Sequence, residues 1–193
     1  MAEVVLFHHA QGLTSGVLAF AAELRAAGHT THVPDLYDGR TFADLDAGIA
    51  HMMELGEQVD ARADAAVTGL GAGLVLLGMS MGVMPAQRLA QTRPGAAGAL
   101  LLYSCVDPNY FAAGWPAGVP VQVHGMDADP VFVGDGDIDA ARALVEQSPD
   151  DAELFLYAGD QHLFADRSLS SYVPEAAQQL TERVLAFLAE VDS

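Results

Sequence analysis

The sequence predicts one α/β domain: a mainly parallel sheet with helices on both faces. Three observations predict it. Short apolar runs alternate with helix-periodic segments along the chain, the order of strand and helix that winds a parallel sheet. Gly, Asp or Pro separates most of these segments, as turns require. The chain has 193 residues, 51% of them hydrophobic, enough for the core of a single domain spanning 1–193 and for no obvious second one.

Each element has its own justification. Residues 4–7 read as a buried strand. Thr14 or Ser15 caps a helix that runs to about Ala27, with Gly28 as its stop. A short strand at 31–33 ends before Pro34. Residues 43–67 carry helical periodicity without a clear break. A strand at 74–77 is followed by a helix from Met81 to about Gln91. Strands are expected at 99–103, 119–124 and 153–157, and helices at 138–146 and 174–191. Residues 107–118, rich in Pro, Gly and aromatics, read as a loop over one end of the sheet, and the acidic stretch 134–139 as a turn into a helix. There is no internal repeat or low-complexity tract.

Composition excludes several functions. The eight basic residues are all Arg, against 26 acidic ones, for a net charge of −18; such a surface repels nucleic acid and anionic membranes. A single cysteine, Cys105, permits no internal disulfide and no cysteine-based metal site. No signal peptide is read ahead of the first strand, and no apolar run spans a bilayer. A cytoplasmic protein is expected.

The chemistry centres on Gly78-Met79-Ser80-Met81-Gly82. It lies between an apolar strand and a helix, the context of a nucleophile elbow. The strand turns sharply there, the serine takes a strained conformation, and side chains at the two glycine positions would collide with backbone. The following helix N-terminus offers the Met81 N–H to a developing oxyanion. A serine hydroxyl needs a base. In chain order the acid and the histidine should follow, each after a later strand. Of the seven histidines, only His162 lies after the last strand and before the last helix. His124 ends a strand and reads as structural. For the acid, Asp127 and Asp129 compete, and spacing does not separate them; Asp160 is too near His162 in sequence to be the usual partner.

These residues resemble the dienelactone hydrolase family of α/β hydrolases. The likeness runs through LFHHAQGL (6–13), Pro34-Asp35-Leu36-Tyr37, the elbow, HGMDADP (124–130), AGDQHLF (158–164) and YVPEAAQQLTERVLAFL (172–188). It implies an α/β-hydrolase fold without a lid domain. It selects Asp129 as the acid, matches His162 to the family histidine, and places a second oxyanion donor at the Ala10 N–H. His9, Gln11 and Tyr37 become candidates for the substrate pocket. Three departures stand out. Ser80 replaces the cysteine of the best-known members. His9 stands where they carry a glutamate. The arginines that hold their anionic substrate are missing, one position being Asp166, beside Arg167. The resemblance therefore implies a Ser-His-Asp hydrolase of a small ester or lactone, acting through an acyl-enzyme, without metal or organic cofactor. A thioesterase or acyltransferase on the same residues, or a small-molecule-binding protein without turnover, are the rival readings. Cys105 reads as buried packing.

Overall fold

Six strands, all parallel, form one sheet in a computed structural model that describes residues 1–192. The strands are β1 (Glu3–Phe7), β2 (Thr30–His32), β3 (Leu74–Met79), β4 (Gly98–Leu102), β5 (Val121–Met126) and β6 (Ala152–Tyr157), in the order β2-β1-β3-β4-β5-β6. The helices are α1 (Ser15–Ala26), α2 (Leu45–Leu55), α3 (Glu57–Val67), α4 (Val83–Thr92), α5 (Pro130–Gly134), α6 (Asp137–Gln147) and α7 (Pro174–Val191). No helix among the described residues is long and apolar enough to cross a membrane.

Strand pleating divides the core in two. Val5, Phe7, Leu74, Leu76, Leu101 and Val123 face a layer closed by α3, α4 and α6. Val4, Leu6, Val75, Leu77, Leu100 and Leu102 face a layer closed by α1 and α7. The central strands are buried along their whole length, which is why they read as unbroken apolar runs. This is the α/β-hydrolase arrangement, with the strand order reversing between β1 and β3. Open sheets of this kind bind ligands at the carboxyl ends of the strands, beside that reversal.

Several boundaries differ from the expectation. Gly56, at φ +51°, separates α2 from α3. The elbow is a 3₁₀ turn over Ser80–Gly82, so α4 begins at Val83. The fifth strand starts at Val121, past Pro120, and continues to Met126; proline brings no ladder donor. The five-residue α5 is too short to show a helical period in the sequence. Asp129 caps it through a bond from the Val131 N–H, and its Phe132 packs against Gly125, where a Cβ would lie 2.5 Å from the ring.

Candidate active site

Ser80 sits at the top of β3 with φ +49°, an uncommon conformation for a residue with a side chain. The surrounding glycines make it possible. A Cβ on Gly78 would come within 2.3 Å of the Gly82 carbonyl oxygen, and one on Gly82 within 2.2 Å of the Phe7 carbonyl oxygen. The strand, the turn and the end of β1 are thus packed backbone to backbone, and Ser80 is held upright between them.

His162 lies in the loop between β6 and α7. Its Nε2 is 2.9 Å from Ser80 Oγ and its Nδ1 is 2.6 Å from Asp129 Oδ2. Asp129 is fully buried; its Oδ1 accepts the Val131 N–H at 2.9 Å. Asp127 instead accepts the Gly159 N–H at 3.1 Å, in the turn after β6. Geometry thus separates two aspartates that spacing does not. Under the histidine lies Tyr103, itself at φ +70°, with its ring edge-on at 5.8 Å. The Tyr103 hydroxyl accepts the Ala165 N–H at 3.2 Å, and burial pushes its pKa upward. Nothing in the sequence singles out Tyr103, since its role follows from a backbone twist at the end of β4.

Beside Ser80 the loop after β1 carries Ala10, buried at the reversal of strand order. Among the described residues no protein acceptor takes the Ala10 N–H. A cleft of about 330 Å³ opens next to His162, lined by Gln11, Leu45, Leu163, Leu169, Ser170 and Ser171 among others. Of the three residues suggested for the pocket, only Gln11 reaches it. His9 is fully buried; its Nε2 lies 2.9 Å from Asp166 and its Nδ1 accepts the Gln11 N–H at 3.2 Å. Tyr37 is also beneath the surface. Its hydroxyl lies 3.0 Å from Met81 Sδ and 3.3 Å from the Gly48 carbonyl, and burial raises its pKa to about 12. Both are corrected from pocket walls to supports under the loop and the elbow. They are pocket candidates through the family resemblance, and the contacts that bury them come from distant segments.

Other groups are accounted for. His124 is buried, 2.9 Å from the Tyr157 hydroxyl and stacked on Phe155; burial, with Arg183 nearby, pushes it down to about 3. Burial likewise pushes the Cys105 thiol upward, away from nucleophilic use. Arg167 turns away from the cleft to pair with Glu23 of α1, and no arginine is among the residues lining the cleft.

A model of the dienelactone hydrolase family matches residues 1–192. The chain belongs to the dienelactone hydrolase family. Among solved structures it is similar to a Klebsiella pneumoniae protein assigned as a dienelactone hydrolase, at 19% identity over 98% of this chain and 87% of that one, TM-score 0.75. A dienelactone hydrolase-like promiscuous phosphotriesterase from metagenomic libraries matches at 20% identity over 99% and 87%, TM-score 0.77. A cold-adapted esterase from an Arctic intertidal metagenomic library matches at 16% over 98% and 82%, TM-score 0.68. At these identities the likenesses establish the fold. No curated protein matches significantly. The dienelactone hydrolase family gives the chain its fold and its class, that of a hydrolase.

Proposed function

We propose that this family member hydrolyses a small ester or lactone with Ser80 as nucleophile, His162 as base and Asp129 as the acid that orients it. The observation that carries the reading is the continuous hydrogen-bonded line from Ser80 Oγ through His162 to buried Asp129, at 2.9 and 2.6 Å. With Asp129 accepting from Nδ1–H, the Nε2 lone pair faces the serine, as proton abstraction requires. Ser80 Oγ attacks the carbonyl carbon while Nε2 takes its proton. The oxyanion is received by the N–H groups of Ala10 and Met81. The imidazolium protonates the departing alkoxide, leaving an acyl-enzyme. Water then loses a proton to Nε2 and attacks the acyl carbon; the bond to Ser80 Oγ breaks, the imidazolium returns the proton to Oγ, and the carboxylic acid leaves. Loss of one oxyanion donor costs roughly 3 kcal/mol in such enzymes.

The cleft supports an uncharged substrate. It combines leucines with neutral amides, hydroxyls and one carboxylate, Asp44, and no arginine or lysine in its lining balances an anionic substrate. The test is Ser80→Ala against a short p-nitrophenyl ester. Hydrolysis should vanish with the fold intact; persistence of activity, tracking Cys105 instead, would overturn the assignment.

A further inference from the structure

We propose that the His9–Asp166 pair is a positioning device that aims the Ala10 N–H at the oxyanion, a role that rests on the reading of Ser80 as nucleophile. The peptide between His9 and Ala10 is planar and trans, so the Ala10 N–H points opposite to the His9 carbonyl. That carbonyl is held from two sides, by the Gly12 N–H at 3.0 Å and by His8 Nδ1 at 2.8 Å. The His8 ring is itself fixed, because its Nε2 accepts the Leu36 N–H at 3.0 Å. The remaining freedom is rotation of the loop about His9, and the His9 side chain removes it. Nδ1 accepts the Gln11 N–H, so the single ring proton sits on Nε2 and is donated to Asp166 Oδ2 at 2.9 Å.

Asp166 is built for this task. It lies four residues beyond His162 in sequence and is 4% exposed. Oδ2 also accepts from the Thr14 hydroxyl at 2.5 Å, and Oδ1 accepts the Ser168 N–H at 2.8 Å and the Ser168 hydroxyl at 2.6 Å. Burial alone would raise its pKa, but these bonds prevail and hold it down at about 2. The carboxylate approaches α1 so closely that a Cβ on Gly16 would overlap it. One buried anion therefore clamps the loop that carries Ala10, the start of α1 and the loop that carries His162. Two sequence departures 157 residues apart, His9 and Asp166, are one contact.

The clamp predicts a specific failure. In Asp166→Asn the Ser168 backbone N–H, which can only donate, claims the amide oxygen. The amide NH₂ then faces His9 Nε2, the ring must carry its proton on Nδ1, and Nδ1–H opposes the Gln11 N–H. Released in this way, the Ala10 N–H loses its aim. The kcat for a small ester should fall roughly 100-fold, with KM changed less than about three-fold, because the donor acts in the transition state. The pH–rate limb of His162 should not move. His9→Gln, which keeps the donor to Asp166 but offers Gln11 no matched acceptor, should behave alike and decides the matter if Asp166→Asn does not fold. Ser168→Ala weakens the same carboxylate shell without changing the His9 tautomer; it should lower Tm yet keep kcat within about three-fold.

Long-range ¹H–¹⁵N spectra supply a readout independent of turnover, with the His9 proton on Nε2 in the wild-type protein and on Nδ1 in Asp166→Asn. Wild-type kcat in folded Asp166→Asn or His9→Gln would overturn the proposal, as would an equal loss in Ser168→Ala or a His9 proton on Nδ1 in the wild-type protein. Failure of the Ser80 reading looks different, since Ser80→Ala would then hydrolyse the ester like wild type while the His9 spectra stayed as described.

Discussion

Asp129→Asn isolates the contribution of the buried carboxylate, and the neighbouring backbone determines how the amide must lie. Asp129 Oδ1 accepts the Val131 N–H, the cap of α5, at 2.9 Å, while Oδ2 lies 2.6 Å from His162 Nδ1. Val131 N–H cannot accept, so the amide oxygen of the variant takes that side. Its NH₂ then faces His162 and forces the ring proton onto Nε2. Nε2–H confronts Ser80 Oγ across 2.9 Å, where a lone pair is needed. The cap is retained, so the fold should be too. Loss of tautomer control in serine hydrolases is worth on the order of 10³–10⁴-fold in kcat. At about 1.36 kcal/mol per decade, that is about 4–5.5 kcal/mol of transition-state stabilisation. The assay is release of p-nitrophenol from a short ester, with circular dichroism and Tm measured alongside. A folded Asp129→Asn within about ten-fold of wild type would refute the orienting role, because even one misplaced catalytic hydrogen bond costs more than that. Activity that moved instead with Asp127→Asn would transfer the role to the other aspartate.

Gly82→Ala drives a Cβ to 2.2 Å from the Phe7 carbonyl oxygen and 2.8 Å from that of His8. Phe7 pairs with Gly78 in the sheet and cannot yield, so the change should cost about 3 kcal/mol, or about 10 °C in Tm at this chain length; an unchanged Tm would show that the elbow is looser than its contacts indicate. His8 and His124 are pushed down by burial to about 4 and about 3 from an ordinary 6.5. Both are neutral above pH 6.5 in either state, so they contribute nothing there. Below it the unfolded chain takes up protons the native rings refuse, and stability should fall between pH 6.5 and about 4 by on the order of 1 kcal/mol per histidine per pH unit. Urea unfolding at pH 7 and pH 5 measures this, and His124→Asn should shrink the difference. With a net charge of −18 and no arginine at the cleft, added salt should lower kcat/KM for a cationic ester and raise it for an anionic one. The opposite salt response would point to a concealed anion site.

Much of this was legible in the chain because period and punctuation carry it. The buried runs of β3 and β4, the Thr14 cap of α1 and the Pro174 that opens α7 are local signals, and the elbow announces itself by glycines flanking Ser80. The order of Ser80, Asp129 and His162 along the chain follows from the order of strands. What spacing and periodicity could not supply depends on contacts between distant segments. Asp127 and Asp129 differ by two positions in one turn, and only the α5 cap turns Asp129 toward His162. That helix is too short for periodicity to register. The resemblance makes His9 and Tyr37 pocket candidates, yet Asp166 covers the first, and the second lies against Met81 and Gly48. The support Tyr103 gives to His162 depends on a backbone angle that composition does not encode.

The central claim is that Ser80 is the nucleophile, and its most direct test is covalent capture. A fluorophosphonate probe followed by peptide mapping should place one adduct on the peptide bearing Ser80. Labelling should be absent in Ser80→Ala and strongly slowed in Asp129→Asn, as expected when His162 no longer presents an Nε2 lone pair to Ser80. An adduct on Cys105 or another residue, or a wild-type protein that stays unlabelled while hydrolysing ester, would contradict the account.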